Sequence, residues 1–347
     1  MQAPINRKKS RITSIDIAHR AGVSQATVSR VLACSPLVNA ATRKRVEEAV
    51  KELNYKVDRH ASSLRTQRAG TLALLLFEDP TTDDSRINPF FLAMLGSITR
   101  ACARYGHDLL VSFQQLSDDW HGDYEDSMKA DGLILLGYGD YRAYAGKLEQ
   151  LLAQGTHFVR WGAVLEDHTG IAIGCDNHAG GRLVGQHLIE LGRRRIAFLG
   201  DASNRFPEFQ ARFQGCDDAL RAANLSLAPA LQVDAESNEQ DGYDAIKTLQ
   251  ARGLGFDAVF AASDLIAIGA MQALHDAGVR VPEDVAVVGF DGTPMARFAN
   301  PPLSTVVQDT ARAGELLVET LLHLVREEPA ANQMLTPTLE VRASSQV

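Results

Sequence analysis

The stretch Ser24-Gln25-Ala26-Thr27-Val28-Ser29-Arg30 places an amide, a methyl, three hydroxyls and a guanidinium within one short segment. On a helix such groups can read a nucleic-acid duplex. A glutamine amide bridges an adenine edge, an alanine methyl meets the thymine methyl, and an arginine pairs with guanine or a phosphate. The hydroxyls of Ser24, Thr27 and Ser29, with Thr13 and Thr42 nearby, suit phosphate oxygens, which fix register without reading sequence. The plainer reading is that these hydroxyls cap helices and face solvent; for Ser24 both readings hold. A second set of groups lies downstream. Arg212 and Asp291 offer paired donors and acceptors, and Trp161 beside Arg160 offers a flat apolar plate, with Phe90 and Phe206 as further plates. A polyol needs that combination. Trp161 can equally be lobe packing, one of Phe90 and Phe91 is expected in a core, and Asp264, next to Ser263, is expected to cap a helix more than to touch a ligand.

The elements that hold the first set are short helices. Thr13 or Ser14 caps one in which Ile15, Ile17, Ala18 and Ala21 form the apolar face, and Gly22 ends it. Ser24 caps a second with Ala26, Val28, Val31 and Leu32. Asn39 caps a third with Val46, Ala49, Val50 and Leu53. Three such helices, the first two joined by a tight glycine-containing turn, form a helix-turn-helix, whose second helix enters the major groove. From Thr71 onward the rhythm is strand and helix in alternation. Strands are expected at Leu72–Phe77, Leu109–Val111, Gly132–Leu136, Phe158–Val159, Ile171–Ile173, Ile196–Leu199, Ala258–Ala261 and Val285–Phe290. Helices such as Phe90–Tyr105, Gly180–Leu191, Arg212–Ala223 and Asp264–Ala277 separate most of them. That alternation implies parallel sheets wrapped by helices, and its length implies two α/β lobes. Ligands of such sheets bind beyond the carboxyl ends of strands, where Trp161, Asp264 and Asp291 fall.

Charge divides the chain in the same place. The 347 residues carry a net charge of −8, yet residues 1–68 hold 14 Lys and Arg against 5 Asp and Glu, a net of +9, leaving −17 for the rest. A basic head on an acidic body is expected when one module meets phosphates and the other does not. Cys34, Cys102, Cys175 and Cys216 show no metal-ligand spacing and read as reduced thiols. No apolar run approaches a membrane span, and Met1–Ser10 has no signal-peptide core, so a cytoplasmic, nucleoid-associated protein without membrane contact is expected. There is no P-loop, no G-x-S-x-G and no paired carboxylates, so neither catalysis nor a cofactor is expected.

The head closely resembles the lac repressor/galactose repressor family of bacterial transcription regulators. The matching residues are Ile15-Asp16-Ile17-Ala18, Ala21-Gly22-Val23-Ser24, Thr27-Val28-Ser29-Arg30-Val31-Leu32, Thr42-Arg43 and Leu53-Asn54-Tyr55. The resemblance runs on through Asn88-Pro89-Phe90-Phe91, Asp176-Asn177, Gly180-Gly181, Arg212 with Gly215, Ser263-Asp264, Val281-Pro282-Glu283-Asp284-Val285, Gly289-Phe290-Asp291, and Pro301-Pro302-Leu303-Ser304-Thr305 with Gln308. It implies an all-α helix-turn-helix head (1–57), a hinge helix or linker (58–69) and an α/β two-lobe body like periplasmic sugar-binding proteins (70–347). The first lobe would span about 70–173 and 305–333, the second about 174–304 and 334–347. It further implies a hinge in which Arg59 and Ala61 meet DNA and Leu64 wedges into the minor groove, bending the duplex.

The function so implied is a transcriptional repressor on palindromic operator DNA, controlled by a small effector between the lobes and expected to be a mono- or disaccharide. Arg212 and Asp291 stand at effector-contacting positions. Three departures are visible: Ala33 where the family has Asn, Ser263 where sugar responders often have Asn, and Arg160-Trp161-Gly162 in place of the common text. A homodimer is expected, because two-fold pairs of heads read palindromes, and not a tetramer, because Thr338–Val347 shows no leucine heptads. Induction and co-repression remain alternatives, as does a sugar-binding protein without a DNA role; that last would need a signal peptide and no reading helix.

Overall fold

The computed structural model describes residues 12–32, 35–55, 68–77, 87–113, 119–137, 141–165 and 168–346. Arg59, Ala61 and Leu64 of the expected hinge, together with Ala33 and Cys34, lie outside the described residues. The chain divides into two compact units, Met1–Ala69 and Gly70–Val347.

The first unit contains α1 (Ser14–Ala21), α2 (Gln25–Leu32) and α3 (Ala40–Glu52). Asp16 accepts from both the backbone N–H and the hydroxyl of Thr13, which fixes the start of α1. Gly22 ends α1 at φ +66°, a left-handed turn that a glycine adopts without strain. Ser24 Oγ accepts from Thr27 N–H and Asn39 Oδ1 from Thr42 N–H, so both act as caps. Ile17, Ala18, Ala21, Val28, Val31, Val46 and Ala49 form one core. One expected apolar-face position, Ile15, points outward at 62% exposure; Ala26 is exposed too, as its expected place at the start of the reading helix requires. Each lies two residues, about 200° of helix, from a buried neighbour, Ile17 or Val28, and so faces the other way.

Among the described residues the second unit holds two six-stranded sheets. In the first the order is β11 (Gln333–Leu335), β5 (Ile171–Cys175), β4 (Phe158–Trp161), β3 (Leu133–Gly137), β1 (Thr71–Phe77), β2 (Asp108–Phe113). In the second it is β12 (Thr338–Glu340), β10 (Ser304–Val307), β9 (Ala286–Asp291), β8 (Ala258–Ala261), β6 (Ile196–Leu199), β7 (Gln232–Val233). All pairings are parallel except β10 with β12. Strands such as β1 over Leu72–Leu76 and β9 over Ala286–Asp291 are buried throughout, because helices cover both faces. Each fully buried Leu, Ile or Phe contributes roughly 1.5–3 kcal/mol of transfer free energy.

The chain passes between sheets after Cys175, after Val307 and after Leu335, a few residues later than expected. Each departing strand stays paired to its end: Leu335 lies opposite Cys175, and Val307 opposite Asp291. β10 therefore belongs to the second sheet and β11 to the first. Two further expectations shift. Trp161 lies inside β4, opposite Ile173, not after the strand. Arg212 does not open its helix: Pro207 takes the first position of helix Pro207–Ala222, whose preorganised φ suits that site, and Arg212 sits in the second turn.

Close packing fixes Arg212. Helix Asn177–Glu190 crosses helix Pro207–Ala222 through glycines. A Cβ at Gly181 would lie 2.0 Å from the Arg212 carbonyl oxygen, and one at Gly215 would lie 1.9 Å from that of His178. No side chain fits at either position, so these backbones hold Arg212 in place.

Candidate functional site

On the head, Gln25, Ala26 and Arg30 are exposed and Ser29 is half-buried. Their spacing puts all four on one face of α2, opposite buried Val28 and Val31. That face presents an amide, a methyl, a hydroxyl and a guanidinium, the groups that read base edges. Ser24 and Thr27 are tied to each other, with their hydroxyl oxygens 2.9 Å apart. Gln25 Nε2 donates to Ser14 Oγ at 2.9 Å. Thr42 is half-buried at the start of α3. Thr13 already donates its hydroxyl proton to Asp16, so a phosphate would compete with a carboxylate there.

In the body, the carboxyl ends of β6, β8 and β9 carry the second set. Arg212 is fully buried, an arrangement tolerable for a charge only with close partners. Its Nε donates to Asn177 Oδ1 at 2.8 Å, its Nη1 donates to the Ala262 carbonyl, and Nη1 lies 3.7 Å from Asp291 Oδ1. The guanidinium carbon lies 3.8 Å from the centroid of the Phe290 ring and 5.2 Å from that of Phe209. Asp291 also accepts from Gln308 Nε2 at 2.8 Å. It adopts φ +118°, a strained conformation for a residue with a side chain and of a kind that clusters at ligand sites. Asn177 follows the first passage between sheets and Gln308 the second. The charged pair is thus bonded to two of the three connections between lobes.

Ser263 and Asp264 act differently from the expectation. Ser263, not Asp264, is the cap of helix Asp264–Asp276: its hydroxyl accepts from Ile266 N–H. Asp264 is fully buried. One of its oxygens accepts from the N–H and hydroxyl of Thr293 at 2.7 and 2.9 Å, and the other from the Thr305 hydroxyl. Thr305 Oγ1 in turn accepts from Gly292 N–H. Asp264 therefore positions the loop that follows Asp291. No effector contact is assigned to Ser263 or Asp264, because their polar atoms already hold backbone in place.

Burial raises the Asp264 carboxyl to about 6 from an ordinary 3.8, outweighing the hydrogen bonds from Thr305 and Thr293. A folded value above the unfolded one means that the stabilising contribution is complete below about pH 4 and is lost as pH rises through about 6. The stability advantage of the native chain over Asp264→Asn is therefore expected to shrink between pH 4 and 7 in denaturant titrations. A constant or growing advantage over that range would refute the assignment.

Arg160 and Trp161 lie on β4 of the first sheet. Trp161 is 5% exposed and belongs to the core, 6.0 Å from Phe90 between ring centroids. Both Phe90 and Phe91 are core residues. Arg160 is 3% exposed, and its Nε donates to the Thr169 carbonyl at 3.3 Å. Arg160 and Trp161 line a cavity of about 10 Å³ with Leu135, Gly137, Tyr144 and Leu148, a volume on the scale of a single water. Phe206 is the half-buried cap residue of helix Pro207–Ala222 and stacks on Phe209 at 6.0 Å. Among the described residues, hydrogen bonds that join the lobes include Ala163 N–H to Glu208 Oε1 (2.7 Å), Asn88 Nδ2 to Ser237 Oγ (3.2 Å) and Arg142 Nη2 to Asn204 Oδ1 (2.6 Å).

Asn177, Gln308, Glu208, Thr293 and Thr305 were not singled out as site residues from sequence. Asn177, Thr305 and Gln308 stand in motifs quoted above, so a signal existed; Glu208 and Thr293 carry none. Cys102, Cys175 and Cys216 are buried thiols, and burial pushes Cys175 up to about 12. Among the described residues no group of His, Cys, Asp and Glu is placed to hold a metal ion, and no helix is long and apolar enough to cross a membrane.

Comparison with known proteins places this geometry. Residues 14–58 match the model for bacterial regulatory proteins of the lacI family, and residues 186–345 match a periplasmic binding protein-like domain. The chain is 30% identical over 338 residues to the ribose operon repressor of Escherichia coli (strain K12), covering 96% of this chain and 99% of that one. It is 33% identical over 327 residues to the HTH-type transcriptional regulator CelR of Thermobifida fusca, covering 92% and 94%. Among solved structures, the lac repressor dimer bound to operator and the anti-inducer ONPF is similar with TM-score 0.81 at 25% identity, covering 97% of this chain and 100% of that one. The CelR–cellobiose complex is similar with TM-score 0.70 at 31% identity, covering 96% and 100%.

Proposed function

Because this chain belongs to the lacI family of bacterial regulatory proteins, we propose that Gln25, Ala26 and Arg30 carry its operator readout and that Arg212 and Asp291 receive its effector. The chain is a DNA-binding transcriptional repressor controlled by a small molecule, with operator DNA and a sugar as its partners. The observation that carries the residue assignment is the buried Arg212–Asp291 pair at 3.7 Å, at the carboxyl ends of the second sheet and bonded to both Asn177 and Gln308.

A guanidinium beside a carboxylate offers a donor fork and an acceptor at one place, which suits vicinal hydroxyls. Phe90, Trp161 and Phe206 supply apolar surface, and Arg160 a further donor fork. Ser24, Thr27, Ser29 and Thr42 serve phosphates, with a weaker part for Thr13. The hinge residues Arg59, Ala61 and Leu64 act at the minor groove. Domain bounds of 1–57, 58–69 and 70–347 follow the same reading. Since Asn177 and Gln308 stand at two passages between lobes, an effector that re-partners Arg212 and Asp291 shifts the lobes and thereby operator affinity.

A homodimer places two heads on the two halves of a palindrome. Its contact face includes the edge strand β2, where Leu110, Val111 and Phe113 are exposed, and Leu92 of helix Pro89–Arg104. A regulator of this kind works in the cytoplasm at the nucleoid and catalyses no reaction. Incubation with candidate sugars is expected to give no turnover.

A thermal-shift screen against mono- and disaccharides tests the effector class. A ligand at a hundred times its Kd adds about 2.7 kcal/mol to folding and raises the Tm by several degrees. One sugar is expected to do so in the native chain and not in Asp291→Asn. If no sugar raises the Tm of a chain that still binds its operator, the sugar assignment fails.

A further inference from the structure

Gln25 opens α2, and Ser14 opens α1, eleven residues away in sequence, yet Gln25 Nε2 donates to Ser14 Oγ at 2.9 Å. Gln25 is exposed and Ser14 half-buried. Such a bond restricts a side chain that would otherwise sample several rotamers. Ser14 is itself held, because the Thr13–Asp16 bonds on either side fix the first turn of α1. The two helices meet through the core formed by Ile17, Ala18 and Val28.

We infer that Ser14 is a positioning residue for base readout, placing the Gln25 amide before DNA arrives. This rests on α2 being the reading helix. With one Nε2 hydrogen directed at Ser14 Oγ, the remaining Nε2 hydrogen and Oε1 face outward as a donor–acceptor pair. Adenine presents the complement in the major groove, with N7 accepting and N6 donating. The Ser14 hydroxyl can bond either end of the amide, so it fixes where the amide sits, and the base edge it meets selects the order of donor and acceptor. Ordering before binding also removes part of the rotamer entropy lost when the contact forms. Ser14 thus sharpens discrimination at one base pair of each half-site and leaves the remaining contacts alone.

The test uses the full chain and a set of operator fragments altered one base pair at a time, symmetrically in both half-sites. Gln25→Ala identifies the pair that Gln25 reads. Ser14→Ala is expected to lower discrimination at that same pair about five-fold, a fraction of what a bidentate contact is worth. Affinity for unrelated DNA should remain within about two-fold, since phosphate contacts set it. Ser14→Thr, which keeps a hydroxyl, restores discrimination. In the Gln25→Ala background, Ser14→Ala changes nothing further. If Ser14→Ala weakens all fragments equally and reduces the salt dependence, Ser14 is a phosphate contact and the inference is overturned. Unchanged discrimination overturns it as well. A native chain with no preference among the fragments would instead overturn the assignment of α2.

Discussion

Replacing Arg212 by methionine is expected to lower folding stability by about 3–5 kcal/mol and to abolish the effector response, because it leaves the Asp291 charge buried without its guanidinium. Both side chains are essentially inaccessible, so solvent screening is minimal. The loss compounds three effects: the Asn177 and Ala262 acceptors lose their donor, Phe290 loses the cation over its face, and the strained Asp291 backbone loses a restraint. Arg212→Lys retains charge but not the planar fork, so it should recover part of the stability and none of the ligand response. Denaturant unfolding and the sugar-dependent Tm shift measure the two effects separately. A methionine variant as stable as the native chain and still responsive would show that the pair is neither structural support nor receptor.

The second large effect belongs to the head. Arg30→Ala should weaken operator binding roughly 10- to 100-fold, the value of one bidentate arginine–guanine contact, while leaving affinity for unrelated DNA nearly unchanged. Arg30 is exposed on α2 and contributes nothing to the core formed around Val28 and Val31, so the Tm should move little. The way specificity responds identifies the contact. Relaxed selectivity at one base pair marks base readout. A uniform loss across sequences, with the salt slope reduced by about one, marks a phosphate. Operator affinity untouched by the substitution would remove Arg30 from the interface.

Much of this was legible because it is local. Caps at Ser24 and Asn39 and the left-handed Gly22 announce helices whatever surrounds them, and apolar runs such as Leu72–Phe77 admit few alternatives to buried parallel strands. The errors arose where tertiary context decides. Ile15 fits an apolar pattern but lies two residues out of phase with the buried face. Asp264 reads as a cap from its place before a helix, yet Ser263 takes that role, and Asp264 is drawn inward by Thr293 and Thr305, far away in sequence. Asn177 and Gln308 gain meaning only when folding brings them to Arg212 and Asp291. Short strands such as Gln232–Val233 and Gln333–Leu335 carry too few residues for a periodic signal.

Everything turns on one link: occupancy of the cleft between two lobes governs how tightly α2 holds duplex DNA. The direct measurement is the affinity of the full chain for its own promoter fragment and for scrambled competitor, at fixed salt, with and without the sugar that raises its Tm. The account predicts promoter binding about a thousand-fold tighter than competitor binding, and a change of at least about ten-fold in that affinity when the sugar is present. Equal affinity for promoter and competitor, or a bound sugar that leaves promoter affinity unmoved, would contradict it.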